Sequence, residues 1–216
     1  MVCNTASVLV LIGSILIAYL LGSVNFAIII TKLFKKGDIR DYGSGNAGMT
    51  NVLRTVGKGA AALTLLGDFS KGILSVLIMR LLMFLCCGIT DTSLLDYIVA
   101  LAALMGHLFP VFYGFKGGKG ILVSAGAMLI LNPWSLLICL AVFLLFACLT
   151  RYISAGSIPP GITYPFGVMF TTWLSFEYVH WAEAGLAALI ELVVILMHHA
   201  NIKRLLNGTE RKVSFK

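Results

Sequence analysis

Long apolar runs separated by short polar connectors dominate the chain from the first residues almost to its end. A bilayer core about 30 Å thick needs about 20 apolar residues per helical crossing. That length predicts spans near 7–31, 61–84, 96–114, 118–133, 135–150, 155–175 and 182–199. The fourth and fifth are short and joined only by Asn132-Pro133-Trp134, and the sixth carries Pro159, Pro160 and Pro165. Five or six crossings therefore also satisfy the pattern, because proline is tolerated in a membrane helix whose neighbours satisfy the freed backbone groups. The expectation is an all-α integral membrane protein of about seven transmembrane helices, a single polytopic domain over residues 1–216.

Composition agrees with that pattern. The 216-residue chain is 59% hydrophobic and 12% charged, more apolar surface than a soluble domain of this size buries. Met1 to Thr31 contains no charged residue, and no Lys or Arg precedes the first apolar run, so a first span is expected rather than a cleavable signal. The net charge of +7 resides in the connectors, where it reads as topology and not as a nucleic-acid surface. Under the seven-span pattern one side collects every Lys and Arg except Lys71 and Arg80, while the opposite turns carry Asp91, Asp96, Glu177 and Glu183. The N-terminus is then expected outside and the C-terminus in the cytoplasm. The five cysteines have no CxxC spacing and lie in or beside apolar segments, which implies neither a disulfide framework nor a zinc site. No internal repeat or low-complexity linker divides the chain, and the Asn207-Gly208-Thr209 sequon falls in the cytoplasmic tail, so no glycan is assigned to it.

Three polar islands interrupt the apolar pattern, all expected on the cytoplasmic face. The first, Gly43-Ser44-Gly45-Asn46-Ala47-Gly48-Met49-Thr50-Asn51 with Arg54, imitates a GxGxxG dinucleotide fingerprint with Asp68 about 20 residues later. No strand precedes it and no βαβ unit surrounds it, so that reading fails. A glycine loop remains, with Gly45 allowing close backbone approach, Ser44, Asn46, Thr50 and Asn51 as donors, and Arg54 as an anion clamp. Asn51 and Arg54 are three apart and share one helical face. The alternative is a re-entrant turn whose polar groups satisfy one another.

The second island, Lys116-Gly117-Gly118-Lys119-Gly120, opens an apolar helix and sets two ammonium groups beside a helix N-terminus, which suits a phosphate. It lacks the spacing and terminal hydroxyl of a Walker A loop. His107, ahead of it across Pro110, is expected to anchor the loop. In the third island, His198-His199-Ala200-Asn201 with Arg204, His198 and Asn201 are three apart at the end of the last apolar run. A histidine there acts as a base or anion donor, or else the pair His198 and His199 simply terminates the helix.

Other polar residues lie inside apolar segments. Asp68 and Lys71, three apart, are expected to form an ion pair, with Lys71 adding positive potential to the site. Ser154 and Ser157 read as helix-packing hydroxyls or substrate contacts, and Glu191 needs a partner.

The islands together resemble the bacterial acyl-phosphate:glycerol-3-phosphate acyltransferases of the PlsY type. The resemblance rests on Gly43-Ser44-Gly45-Asn46-x-Gly48-x-Thr50-Asn51-x-x-Arg54, on Gly106-His107-x-Phe109-Pro110 leading to Phe115-Lys116-Gly117-Gly118-Lys119-Gly120, and on His198-x-x-Asn201-Ile202-x-Arg204-Leu205 with Gly208 and Glu210. It departs from the family at Ile121-Leu122-Val123-Ser124, where a small residue and a threonine are usual, and at His199-Ala200, where an arginine is common. The second departure removes one phosphate contact.

The resemblance implies transfer of a fatty acyl group from acyl phosphate to the 1-hydroxyl of glycerol 3-phosphate, giving lysophosphatidic acid and inorganic phosphate in the bacterial cytoplasmic membrane. No metal, cofactor, nucleic acid or protein partner is implied. The expected catalytic set is His198, Asn201, Ser44 and Lys119, and the expected substrate-binding set is Gly45, Asn46, Thr50, Asn51, Arg54, Lys71, Lys116, Gly117, Gly118, Ser154 and Ser157. The base is left open between His198 and the acceptor's own phosphate. The rival expectation is a transporter or binding protein for a phosphorylated small molecule, because basic glycine loops at helix ends also capture permeating anions.

Overall fold

A computed structural model describes residues 4–212, and among them every regular element is helical. The chain divides into two compact units, 1–131 and 132–216.

The first unit contains α1 (Thr5–Ser23), α2 (Phe26–Lys35), α3 (Met49–Thr55), α4 (Lys58–Cys87), α5 (Ser93–Leu108) and α6 (Ile121–Leu131). Asn4 starts α1 with a capping box, accepting from the Ser7 amide at 2.8 Å while Ser7 Oγ accepts from the Asn4 amide at 3.2 Å. The first apolar run breaks at Val24-Asn25, where Asn25 caps α2 by accepting from the Ile28 amide at 3.1 Å. The thirty-residue α4 packs against α1, α2, α3, α5 and α6. Small residues set these distances. A Cβ on Gly22 of α1 would strike the Ala103 carbonyl of α5, and one on Gly106 of α5 would strike the Tyr19 carbonyl of α1. Gly72 of α4 and Gly126 of α6 stand in the same relation to Val123 and Phe69. Close backbone approach through small residues is how apolar helices gain contact where lipid competes for their surfaces.

The second unit contains α7 (Pro133–Thr150), α8 (Ile153–Phe176), α9 (Trp181–Leu196) and α10 (His199–Leu206). Asn132 caps α7 through the Ser135 amide at 3.0 Å and ties it to α8 by donating to Thr171 Oγ1 at 2.8 Å. α8 stays helical through Pro159, Pro160 and Pro165. Hydroxyls throughout both units return their protons to the carbonyl four residues back, as Thr64 does to Ala60 and Ser157 to Ile153.

Four helical segments are long and apolar enough to cross a membrane: Thr5–Lys35, Lys58–Cys87, Ser93–Tyr113 and Pro133–Thr150. A fifth is added if α9 and α10, bent by 58°, are one span. Two of the seven expected spans differ in kind from that set. α6 has 11 residues and is about 16 Å long at 1.5 Å per residue, half a bilayer core, because the glycine loop before it consumes residues expected in the span. α8 is long, but its prolines, glycines and hydroxyl residues make it less apolar than the others.

Candidate functional site

In the first unit the connector between α2 and α3 is folded around Asn51. That side chain is 2% exposed. Its Nδ2 donates to the carbonyls of Ile39, Tyr42 and Asn46 at 3.2, 2.9 and 3.1 Å, and its Oδ1 accepts from the Ser44 amide at 3.0 Å. Gly43 and Gly45 take left-handed backbone, φ 60° and 71°, and a Cβ on Gly43 would strike Asn51 Oδ1. Asn51 was expected to be a donor to substrate; its amide is instead engaged on four loop groups, so it shapes the loop that presents the exposed Ser44 and Gly45 and the half-buried Asn46 and Thr50. Arg54 lies exposed on α3.

Arg40, which the charge pattern alone counts only as a topological residue, joins this loop to the second island. Its guanidinium grips Asp38 with two N–H groups, Nη2 to Oδ2 at 2.6 Å and Nε to Oδ1 at 3.0 Å. The remaining Nη1 donates to the carbonyls of Tyr113 at 2.8 Å and Lys116 at 3.1 Å. The hydrogen bonds from Arg40 hold the Asp38 carboxyl below its ordinary pKa, and the same contact raises that of Arg40.

The second island leaves α5 through the Phe109-Pro110 turn and doubles back onto its end. The Gly117 amide donates to the Leu108 carbonyl at 3.0 Å and the Gly118 amide to the His107 carbonyl at 3.2 Å. These two amides were expected to face a phosphate; they fasten the loop instead, and only glycine fits the fastening. A Cβ on Gly117 would strike the His107 carbonyl, and one on Gly118 would strike His107 Nε2 and lie 2.6 Å from the Ala47 carbonyl. That Ala47 carbonyl belongs to the first island and accepts from Asn25 Nδ2 at 3.4 Å. The two islands are thus in backbone contact, with Lys116 exposed and Lys119 half-buried at the loop and α6 beginning directly after Gly120.

Beneath this loop the expected ion pair is present: Lys71 Nζ lies 2.9 Å from Asp68 Oδ1, both almost fully buried. Lys71 also donates to the carbonyls of Gly22 at 3.0 Å and Val24 at 2.7 Å, and contacts His107 Nδ1 at 2.8 Å. Lys71 was expected to serve substrate directly. With 3% exposure and every N–H engaged inside the unit, it is a structural centre beneath the loop.

In the second unit the chain bends between α9 and α10 at His198. The imidazole is 3% exposed and its Nδ1 lies 2.8 Å from the Val194 carbonyl; His199 Nδ1 lies 3.0 Å from that of Leu196. Both histidines therefore donate Nδ1–H to the end of the helix, as the helix-terminating reading requires. For a neutral His198 this leaves Nε2 as the basic nitrogen. Glu210, 5% exposed, accepts from Arg204 Nε at 2.8 Å and from Asn201 Nδ2 at 3.3 Å, so one carboxylate orients both Asn201 and Arg204 of α10. α10 packs on α8, whose first turns contain Ser154 and Ser157. The Ser157 hydroxyl is returned to the Ile153 carbonyl at 2.9 Å, whereas the buried Ser154 Oγ has no partner among the described residues.

An all-helical architecture with long apolar spans, glycine loops and clustered cations defines a membrane protein that handles anions. The glycerol-3-phosphate acyltransferase family profile matches residues 12–208. The chain is 46% identical over 203 residues to the glycerol-3-phosphate acyltransferase of Clostridioides difficile, covering 93% of this chain and 94% of that one. It is 42% identical over 206 residues to that of Neisseria meningitidis serogroup C, covering 94% and 96%. Among solved structures it is similar to PlsY, an integral membrane glycerol 3-phosphate acyltransferase, in its glycerol 3-phosphate form: TM-score 0.82, 34% identity, 94% of this chain and 96% of that one covered. The lysophosphatidic acid form of PlsY gives a TM-score of 0.79 at 33% identity over 94% of this chain and 95% of that one. The chain belongs to the glycerol-3-phosphate acyltransferase family, as an integral membrane enzyme of the PlsY type.

Proposed function

We propose that this enzyme takes its acyl group from acyl phosphate and places it on the 1-hydroxyl of glycerol 3-phosphate, releasing inorganic phosphate and lysophosphatidic acid at the cytoplasmic side of the bacterial inner membrane. The observation that carries the reading is the fastening of two glycine-rich loops to each other by Arg40, with Lys116 and Lys119 on the second loop and Arg54 on α3 directly after the first. Two phosphorylated substrates repel, so the first requirement is concentrated positive charge on a rigid frame.

In this reading Arg54, Lys116 and Lys119 hold phosphate, helped by Ser44, Gly45, Asn46 and Thr50. Gly117, Gly118 and Asn51 give the loops their shape. In the second unit His198, Asn201, Ser154 and Ser157 serve glycerol 3-phosphate. The acceptor hydroxyl oxygen bonds to the acyl carbonyl carbon, the bond from that carbon to the bridging phosphate oxygen breaks, and phosphate leaves with the electron pair. In the second unit His198 Nε2 is the nitrogen left basic when Nδ1–H is donated to Val194; it and the acceptor's own phosphate are the two groups proposed to take the hydroxyl proton. Because phosphate is already a good leaving group, positioning and charge neutralisation supply most of the acceleration. The proposed topology keeps the N-terminus outside and the basic connectors in the cytosol.

The test is direct. Purified protein in detergent, given palmitoyl phosphate and glycerol 3-phosphate without added metal, yields lysophosphatidic acid and phosphate in equal amounts. Product formed from palmitoyl-CoA but not from palmitoyl phosphate would refute the donor assignment, and no product from either would refute the reaction.

A further inference from the structure

The cluster of Asp68, Lys71 and His107 is the most deeply buried group of ionisable side chains described in the first unit, and the reaction above assigns none of the three a role. A lysine ammonium has three N–H donors and no acceptor. Lys71 Nζ has four acceptor atoms around it: Asp68 Oδ1 at 2.9 Å, the Gly22 carbonyl at 3.0 Å, the Val24 carbonyl at 2.7 Å and His107 Nδ1 at 2.8 Å. The ammonium has no lone pair to offer, so at 2.8 Å Nδ1 of His107 must accept. A proton on Nδ1 would leave two donors opposed at 2.8 Å. The imidazole proton therefore sits on Nε2, the atom that a Cβ on Gly118 would strike.

The other histidines are the reverse. His180 Nδ1 faces Glu183 Oε1 at 2.8 Å, His198 Nδ1 faces the Val194 carbonyl and His199 Nδ1 the Leu196 carbonyl. Each of those nitrogens meets an oxygen and carries a proton. His107 alone of the four has its Nδ1 against an ammonium.

We propose that Lys71 is a positioning residue that fixes the proton of His107 on Nε2, so that the imidazole edge lying against Gly118 is an N–H donor and no lone pair faces the Lys116–Gly120 phosphate loop. The ligand class is a phosphate group, and Lys71 acts on it only through His107. The chemistry explains why a buried lysine stands where a methionine would pack as well: a lone pair directed at an anion site repels the anion, whereas an N–H attracts it. The kinetic part of this inference rests on the acyl-phosphate reaction proposed above; the tautomer itself does not.

The experiment is 15N NMR of the purified full chain, labelled at histidine, in detergent. Wild type is expected to show one imidazole of four with an unprotonated Nδ1 and a protonated Nε2, lost on His107→Gln. Four Nδ1-protonated rings would overturn the proposal. The Asp68→Asn/Lys71→Met double variant removes both charges together, so neither is left buried alone, and it is expected to abolish the Nε2–H pattern. Its KM for palmitoyl phosphate should rise about tenfold, the scale of one lost hydrogen bond to a charged group, with kcat within about threefold of wild type. A lost pattern with an unchanged KM would overturn the functional role. His107→Gln keeps an N–H near the Nε2 position and should retain a KM within about threefold of wild type, while His107→Ala should not; equal losses in both would also overturn it. If wild type forms no lysophosphatidic acid, the reaction fails and the nitrogen pattern still decides the tautomer.

Discussion

Arg40 Nη1 donates to the Lys116 carbonyl at 3.1 Å, across 76 residues of sequence. Since the same guanidinium is clamped by Asp38, a single side chain fixes the first polar loop against the second.

Replacing Arg40 with lysine is therefore not conservative, because an ammonium lacks the planar fork that reaches Asp38 and two carbonyls at once. With both partners of the ion pair 29% exposed, the stability loss is expected to be modest, about 1 kcal/mol. The loss in kcat/KM should be larger, about tenfold or more, as the loops lose their mutual register. Thermal unfolding and steady-state kinetics on the same preparation separate the two.

The Asp38 shift has a definite sign. Its folded pKa lies below the unfolded one, so its contribution to stability is fully present above the unfolded carboxylate value of about 3.9 and is lost as pH falls through the folded value. The melting-temperature difference between wild type and Asp38→Asn should be constant from neutral pH down to about pH 4 and shrink below it. A difference that grows on acidification would contradict this.

Asn51→Ala removes the four hydrogen bonds that tie the carbonyls of Ile39, Tyr42 and Asn46 and the Ser44 amide to one side chain. Each such hydrogen bond contributes about 1 kcal/mol net, and a loop without them loses its register, so the expected result is about a hundredfold fall in kcat/KM. Fast hydrogen exchange at the Ser44 amide should accompany it. Asn51→Asp should be no better, since a carboxylate cannot donate to the carbonyls.

Gly118→Ala adds a Cβ between His107 Nε2 and the Ala47 carbonyl, neither of which is the free end of a flexible chain. The two loops must separate, and activity should fall by about a hundredfold or more, as expected when positioning is lost by about 1 Å. Gly59→Ala, where a Cβ meets nothing within 4 Å, is the control and should be near neutral.

His198→Ala should lower kcat by about 10² to 10⁴, the range for loss of a general base, with a smaller change in the KM for glycerol 3-phosphate. Unchanged kcat with a raised KM would move the base to the acceptor's phosphate and leave His198 as a binding residue. Glu210→Ala tests its neighbours: freed of their common carboxylate, Asn201 and Arg204 lose orientation, and the KM for the acceptor should rise.

The hydrophobic pattern by itself determined that this is a helical membrane protein, because about 20 apolar residues in a row have few other physical outcomes. The spacing of Asp68 and Lys71 likewise determined their ion pair, since a charge inside an apolar helix requires a partner within one turn. Motif composition located the three polar islands. Tertiary structure alone decided which polar groups in them face one another. Asn51 and the Gly117 and Gly118 amides read as ligand donors in the sequence, where composition records that a donor exists but not where its hydrogen points; in the fold those hydrogens go to loop carbonyls. Arg40 carried no motif signal, and the His107 motif did not reveal its Lys71 contact, for the opposite reason: their partners are groups distant in sequence, brought within about 3 Å only by the fold.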